Sequence, residues 1–330
     1  KDWPGSKVTL LEENYRSTQN IITAASTLIQ NNKYQKPKNL WTKNPKGGPI
    51  KISEVESAEE EAALVIEQIR NSSAEGGSPP EANGPLAHAA ILYRTNAQSR
   101  PIEQALLEED VPYQIFGGVR FYERREIKDV LAALRYVLNP KDEISRDRLT
   151  KAFSKTKFSE LQESLLRKTE LSPLKLIQLF MKTADYFGYL ERNFVNAAER
   201  KENIAELMTF ASKFEDLSIF LEQVSLLQPT DAIAESKKQH AVNLMTIHLA
   251  KGLEFDRVFV IGCSEGLLPH ARSLKDEADL EEERRLMYVA MTRARNELSL
   301  SFYDLPSRFL LELPVELIEF QNLVSGNNVF

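Results

Sequence analysis

The feature that most restricts the fold is an alternation of short apolar segments with longer amphipathic ones, which stops in the middle of the chain. A strand pattern at 7–11 precedes a helix pattern at 17–32, and PIKISEV precedes the helix pattern SAEEEAALVIEQIR. Strands that alternate with helices are typical of βαβ units around a parallel sheet. Residues 124–228 instead show helical periods and almost no strand pattern. The sequence therefore predicts an α/β domain followed by an all-α segment.

Strand patterns return after the helical segment. HAVNLMTIH (240–248) and DRVFVIG (256–262) are apolar, and a helix pattern at 279–289 leads into the strand pattern NELSLSFY. Because these late strands resemble members of the first sheet, the simplest architecture is one α/β domain interrupted by an all-α insertion. We predict a first part at 1–116, an insertion at 117–240, a second part at 241–312 and a tail at 313–330.

Composition excludes several classes of protein. A single cysteine, Cys263, rules out an internal disulfide and a CxxC pair. The net charge of -6 gives no global sign of a nucleic-acid partner, which must rest on local patches. We see neither a membrane span nor a signal peptide, so we expect a cytoplasmic or nucleoid-associated protein with no membrane partner. Lys1 is not a methionine, so we expect the chain to come from a longer protein.

The segment LEENYRSTQNI (11–21) places an aromatic residue and an arginine just before a helix pattern. Tyr15 offers a face for stacking, and Arg16 offers a planar clamp for a phosphate beside the positive end of a helix dipole. This arrangement suits a nucleotide. From the residues alone, a surface arginine beside a half-buried tyrosine is the favoured interpretation.

The segment NLMTIHLAKGLEFDRVFVIG (243–262) runs from one strand pattern through a polar turn to another. Open parallel sheets bind ligands at the carboxyl ends of their strands, which makes His248, Lys251 and Glu254 candidates for binding. Taken singly, His248 could be a structural histidine and Lys251 a solvated side chain.

The segment EEERRLMYVAMTRARNELSL (281–300) ends a helix pattern in an arginine just before a strand pattern. An arginine at such a point, here Arg293, can project into a cleft and neutralise phosphate charge. Arg284 and Arg285 have a simpler interpretation as partners of Glu281 and its neighbours on the helix surface.

Together these segments resemble the C-terminal half, subdomains 2A and 2B, of the UvrD/PcrA/Rep family of superfamily 1 DNA helicases. The resemblance covers about 1–138 and 241–312 in order and spacing. NYRST is similar to motif IV, TIHLAKGLEF to motif V and EEERRLMYVAMTRA to motif VI; ILYRTNAQSRPIEQAL (91–106) and GGVRFYERREIKD (117–129) are further matches.

The resemblance implies a recA-like domain of the P-loop NTPase type and an ATP site shared with an N-terminal half. It implies that Tyr15 stacks on adenine and that Glu254 contacts the ribose. Arg16 and Arg293 would be catalytic arginine fingers on the γ-phosphate, a role that is worth ~10³ to 10⁵ in turnover. By the same resemblance, the enzyme moves 3′ to 5′ along DNA.

The resemblance also implies a path for single-stranded DNA. Thr246 and His248 would face the strand, together with Arg94 and Asn96. Lys251 and Gly252 would shape the loop that couples DNA to the nucleotide.

The motifs that hydrolysis requires are not found in this sequence. A P-loop, GxxxxGK[ST], cradles phosphates, and a strand-end Asp-Glu pair holds Mg²⁺. We therefore expect no metal ligand here, Mg²⁺ bound by an N-terminal 1A–1B half, and no ATP hydrolysis by this chain alone. The alternative is a DNA-binding or regulatory module that does not hydrolyse ATP; an oxidoreductase is disfavoured because no GxGxxG follows a strand.

The chain departs from the family in its insertion, which is shorter than the usual 2B. The basic segment SRDRLTKAFSKTKF (145–158) stands where relatives carry a duplex-gripping turn. Lys151 and Lys155 are the candidates there for contact with a duplex/single-strand junction; the alternative is a solvated helix face. The lysine-rich segment 32–46, with Tyr34 and Trp41, suits single strands; the alternative, which we favour, is a lysine-rich loop whose Trp41 packs on the core.

Overall fold

The computed structural model describes residues 10–35, 38–75, 86, 88–168, 170–228 and 241–324. The chain divides into two compact units, each with its own apolar core. The sheet unit comprises Lys1–Arg94, Val111–Gly117 and Glu235–Phe330, and the helical unit comprises Thr95–Asp110 and Gly118–Ala234. No helix in the described ranges is long and apolar enough to cross a membrane.

The sheet unit is built on seven strands that all pair in parallel, in the order β3-β4-β2-β5-β6-β1-β7. This confirms the predicted α/β fold with a parallel sheet. The central strand β2 (AAILY) is apolar and buried along its whole length, as expected for a strand that is covered on both faces. The strands are β1 (Ile50–Glu54), β2 (Ala89–Tyr93), β3 (Tyr113–Ile115), β4 (Val242–Thr246), β5 (Phe255–Val260), β6 (Ala294–Phe302) and β7 (Ile318–Asn322).

The helices are numbered in chain order over the described residues. The sheet unit contains α1 (Gln19–Gln30), α2 (Ala58–Glu75), α11 (Glu277–Met291) and α12 (Arg308–Leu311). The helical unit contains α3 (Ser99–Glu108), α4 (Arg125–Leu138), α5 (Glu143–Ala152), α6 (Lys155–Leu166), α7 (Pro173–Ala184), α8 (Tyr186–Asn193), α9 (Ala197–Ala211) and α10 (Leu217–Leu226).

Several local predictions differ from the structure. Of the strand predicted at 7–11, residues 7–9 lie outside the described residues, and Leu10 and Leu11 belong to no strand. The basic segment 145–158 forms two helices because Phe153 adopts extended dihedral angles and caps α5. Its ring packs on aromatic residues of α7 and α8, and Ser154 then caps α6.

The stretch 95–110, which the sequence analysis placed with the first domain, packs in the helical unit. Arg100, at 1% exposure, donates to Glu206 Oε1 at 2.5 Å and lies over the Phe210 ring. Since both partners lie on α9, these contacts attach α3 to the helices that follow it.

A buried polar network lies beside α3 and α4 in the helical unit. The Arg124 guanidinium is 8% exposed and donates to the Asn96 carbonyl oxygen at 2.8 Å and to Asn203 Oδ1 at 2.9 Å. It also donates to Ser99 Oγ at 2.7 Å and lies 3.9 Å from the Glu103 carboxylate. One arginine therefore satisfies several buried acceptors of this unit.

Candidate functional site

An open pocket of about 650 Å³ lies at the amino ends of β5 and β6 in the sheet unit. It is lined by Glu13, Asn14, Tyr15, Arg16, Thr18, Asn44, Pro45, Glu254, Asp256, Arg295 and Asn296. We call it the amino-edge pocket. Three predicted site residues, Tyr15, Arg16 and Glu254, meet there.

The position of Glu254 differs from the expectation that the cluster would lie at the carboxyl end of a strand. Phe255, which follows Glu254, is the first residue of β5 and pairs with Ala294, the first residue of β6. Thr246 ends β4 and pairs with Tyr93, the last residue of β2. Because the sheet is parallel, the connection 247–254 crosses from its carboxyl edge to its amino edge.

The turn before α1 directs Arg16 into the amino-edge pocket. Asn14 Oδ1 accepts hydrogen bonds from the backbone N–H groups of Arg16 and Ser17, both at 2.9 Å, which closes an Asx-type turn. Arg16 Nε then donates to Glu254 Oε2 at 2.5 Å, and its Nη1 donates to the Thr292 carbonyl oxygen at 3.1 Å. The guanidinium is thereby held at the wall of the pocket.

Glu254 is shared between two arginines. Its Oε2 accepts from Arg16, and its Oε1 accepts from Arg295 Nη2. Hydrogen bonds from Arg295 and then from Arg16 lower the pKa of Glu254 to about 2. The carboxylate therefore stays ionised at any physiological pH, and the pocket contains a fixed negative charge between two positive ones.

Tyr15 presents its ring to solvent, with 79% of the residue exposed. Its hydroxyl donates to Glu13 Oε2 at 2.8 Å, and Asn44 Nδ2 donates to its carbonyl oxygen at 3.2 Å. The backbone and the ring edge are thus anchored while a ring face is open. This geometry, beside Arg16, fits the base and phosphates of a nucleotide.

Arg293 lies next to the amino-edge pocket but is not among the residues that line it. Its Nε donates to the Val289 carbonyl oxygen and its Nη1 to the Leu253 carbonyl oxygen, both at 3.0 Å. Burial, and then the charge of Arg16, lowers the pKa of Arg293. The arginine is therefore held between α11 and the segment before β5.

Four of the residues predicted to face DNA or to couple it to the nucleotide lie at the end of β4 and in the turn that follows it: Thr246, His248, Lys251 and Gly252. The Thr246 carbonyl oxygen accepts from the backbone N–H groups of Leu249 and Ala250 at 3.0 and 3.2 Å. His248, Lys251 and Gly252 are exposed. The φ of Gly252 is 94°, which favours glycine at this position. His248 and Lys251 also line a second pocket of about 700 Å³ with residues of α1 and α11.

Of the two remaining candidates for single-stranded DNA, Arg94 is engaged through its side chain and Asn96 through its backbone carbonyl. The Arg94 guanidinium donates to both carboxylate oxygens of Glu283 at 2.7 to 3.1 Å, and the Glu283 side chain is 4% exposed. In the helical unit, the Asn96 carbonyl oxygen accepts from Arg124. A DNA contact by Arg94 would therefore require this ion pair to open.

Lys151 and Lys155 are exposed at the end of α5 and the start of α6 in the helical unit. Two other cations of the basic segment have carboxylate partners. Arg148 Nε donates to Asp129 Oδ1 at 2.7 Å, and Lys157 Nζ to Glu160 Oε2 at 3.2 Å.

The UvrD-like helicase C-terminal domain family matches residues 9–199 and 191–304 of the sequence. The chain belongs to this family. The resemblance inferred from the three motif-bearing segments is thereby confirmed. The roles assigned to individual residues stay predictions.

Similar proteins include the ATP-dependent DNA helicase PcrA of Bacillus subtilis (strain 168), 37% identical over 385 residues, and that of Staphylococcus aureus (strain MRSA252), 34% identical over 383 residues. Each alignment covers 97% of this chain and 51% of the relative, so the chain spans about half the length of these relatives. A solved structure from Lactobacillus, the C-terminal domain of a possible DNA helicase, aligns with a TM-score of 0.43 at 14% identity over 93% of this chain and 98% of that one.

Within the described part of this UvrD-like chain, no group of three or more His, Cys, Asp or Glu side chains is placed to hold a metal ion. Arg295 is the site residue that the sequence analysis missed. The sequence indicated Arg295 only by its position two residues after Arg293. Its partner Glu254 lies 41 residues earlier in the chain, so the sequence did not show the pairing.

Proposed function

We propose that the chain is the C-terminal half of an ATP-dependent DNA helicase or translocase that moves 3′ to 5′. Tyr15 stacks on the base, Glu254 contacts the ribose, and Arg16 and Arg293 reach the γ-phosphate. The P-loop and the Mg²⁺-binding residues belong to an N-terminal 1A–1B half. The observation that carries the proposal is the meeting of Tyr15 and Arg16 from one motif with Glu254 from another, at one open pocket.

The charges of the amino-edge pocket support a phosphate ligand. Arg16 and Arg295 bring two guanidinium groups to its wall, and guanidinium groups bind phosphate oxygens in a bidentate manner. Arg293 lies close enough to Arg16 for the two charges to interact. An incoming phosphate would relieve this repulsion between like charges.

DNA-stimulated ATP hydrolysis by the full-length protein tests this proposal. Arg16→Ala removes one finger, and we expect turnover to fall by ~10³ or more. Arg308→Ala is the matched control, since Arg308 pairs with Glu265 away from the pocket. A variant Arg16→Ala that hydrolyses ATP at the unaltered rate would refute the finger, and a full-length protein without ATPase activity would favour a non-hydrolysing DNA-binding or regulatory module.

The proposal includes a path for single-stranded DNA along the turn after β4. Thr246 and His248 contact the strand, with Arg94 and Asn96 as further contacts, while Lys251 and Gly252 transmit its position toward Glu254. Only a few residues separate this turn from Glu254, so a shift of the turn acts on the nucleotide pocket directly. We infer that the protein acts in the cytoplasm on nucleoid DNA, because that is where its proposed substrate lies.

The exposed lysines of the helical unit suggest contact with duplex phosphates. In the full-length protein, Lys151→Glu with Lys155→Glu should weaken binding to a duplex with a 3′ single-stranded tail about tenfold, and binding to a plain single strand less. Each lost phosphate contact should also reduce the salt dependence of binding. Fluorescence anisotropy at several salt concentrations measures both.

The control for this pair is Lys175→Glu with Lys182→Glu, two exposed lysines of α7 that change net charge by the same amount. Equal loss on both DNA substrates, or equal loss in the control, would contradict a duplex role for α5 and α6.

A further inference from the structure

A row of ionisable side chains runs along the amino edge of the sheet. His88 Nδ1 lies 3.1 Å from Asp256 Oδ2, and Asp256 Oδ1 lies 3.7 Å from Arg295 Nη1. Arg295 Nη2 donates to Glu254 Oε1, and Glu254 Oε2 accepts from Arg16 Nε. Arg16 is the end of this row that faces the predicted position of the nucleotide.

Arg16 cannot donate the same N–H group to both Glu254 and a phosphate. Its Nε is committed to Glu254 Oε2 at 2.5 Å. When the guanidinium turns its Nε toward a phosphate, Glu254 loses one of its two cations, and this loss carries the modest free-energy cost of breaking a partly exposed ion pair. That cost depends on what remains beside Glu254.

Arg295 is positioned to stay beside Glu254 when Arg16 moves away. Its backbone lies in β6, and its carbonyl oxygen accepts from the Thr18 N–H at 3.0 Å. Its side chain is held on one side by Glu254 and faces Asp256 on the other. It uses the carboxylate oxygen that Arg16 does not use, so the departure of Arg16 leaves this hydrogen bond intact.

We propose that Arg295 is a positioning residue for Arg16: it retains Glu254 when Arg16 moves to a nucleotide phosphate, and so makes that movement inexpensive. The inference rests on the proposed function and adds a residue to the nucleotide site. The competing role for Arg295 is direct contact with the nucleotide, and the two roles differ in one respect. A positioning role acts through the Glu254 carboxylate and disappears without it, whereas a direct contact does not need Glu254.

A double-mutant cycle in the full-length protein separates the two roles. Arg295→Met removes the charge and keeps a long side chain and the backbone contact with Thr18. We measure kcat for DNA-stimulated ATP hydrolysis, and the dissociation constants of ADP and of a non-hydrolysable ATP analogue. With Glu254 present, Arg295→Met should lower kcat and the preference for the ATP analogue over ADP by about fivefold each, the scale of a partly exposed ion pair.

In the Glu254→Gln background, Arg295→Met should change both quantities by less than about twofold. Arg295→Lys retains a cation and should recover most of the loss. Arg308→Met is the control, since the side chains of Arg308 and Arg295 are both 43% exposed and both pair with a glutamate. Thermal unfolding of each variant verifies that the fold is kept.

Each remaining outcome counts against the proposal. An equal effect of Arg295→Met in both backgrounds would show direct contact with the nucleotide, and no effect in either would show that Arg295 is dispensable. If Arg16→Ala alone leaves turnover and the ATP preference unchanged, the proposed function fails as well, and this inference with it. If Arg16→Ala is inactive but Arg295→Met gives either of the first two results, this inference fails and the proposed function stands.

Discussion

Replacing Arg293 with alanine is expected to lower the DNA-stimulated ATP turnover of the full-length protein by ~10³ or more while leaving DNA affinity nearly unchanged. The charge of Arg293 is partly buried next to Arg16, at the end of α11, and the candidate DNA residues lie on another edge of the sheet. Steady-state hydrolysis and anisotropy with single-stranded DNA measure the two effects.

Arg293 also makes hydrogen bonds within the protein, so a second variant is needed to separate their loss from the loss of the charge. Its hydrogen bonds to Val289 and Leu253 join α11 to the segment before β5, so alanine removes a local anchor as well as a charge. Arg293→Lys retains a cation and one set of donors, and should fold normally but still turn over slowly, because an ammonium does not reproduce the planar fork. Normal hydrolysis by Arg293→Ala would end the assignment of this residue as a finger.

Replacing Arg124 with methionine is expected to destabilise the helical unit by about 3–5 kcal/mol. The substitution removes a hydrogen-bond donor from three acceptors: the Asn96 carbonyl oxygen, Asn203 Oδ1 and Ser99 Oγ. It also leaves the Glu103 carboxylate, which accepts from the Phe121 N–H, without its nearby cation. Amide hydrogen exchange in α4 measures the free energy of opening of this unit.

The destabilisation caused by Arg124→Met should become smaller as the pH falls. Burial raises the pKa of Glu103 above its ordinary 4.5, and the charge of Arg124 opposes that rise. Without Arg124 the pKa rises further. When the folded pKa of a carboxyl group exceeds its unfolded pKa, the free energy of unfolding falls as the pH rises through the folded pKa. The Arg124→Met variant should therefore be least stable at high pH and regain stability toward pH 4.5.

Arg125→Met is the matched control, because Arg125 is the next residue and is exposed. Its guanidinium contacts Tyr189 and the Phe194 ring at the surface, so we expect a loss below about 1 kcal/mol. Equal destabilisation by the two variants, or a loss independent of pH, would contradict the importance of the buried network.

The sheet was predictable where strands are buried on both faces. Each residue of β2 is buried, and its apolar run stands out between polar segments. The strand β7 was missed because it lies at the edge, where a polar sequence with Phe320 55% exposed shows little periodicity. The three-residue β3 is too short to show a period of two.

The sequence predicted the site residues that lie within the motifs but not the contacts between them. Tyr15, Arg16 and Glu254 stand in recognisable segments, but the pairing of Arg16 with Glu254 spans 238 positions. The contribution of Arg295 follows from the β5–β6 register, which places Phe255 opposite Ala294 and so brings the residues beside them together. The two strands are separated in sequence by a long connection that contains α11, so the segments on either side do not by themselves indicate this pairing.

The strand order has a consequence for how the chain is made. Among the described strands, β1 to β3 do not pair with one another, and every ladder includes a strand from Val242 onward. A chain emerging from the ribosome therefore carries three strands with open edges while most of the helical unit, Gly118–Ala234, is still being synthesised. The helical unit can fold first, and the sheet must wait for the last third of the polypeptide. Newly made chains thus pass through an aggregation-prone stage, when chaperones have the most to protect.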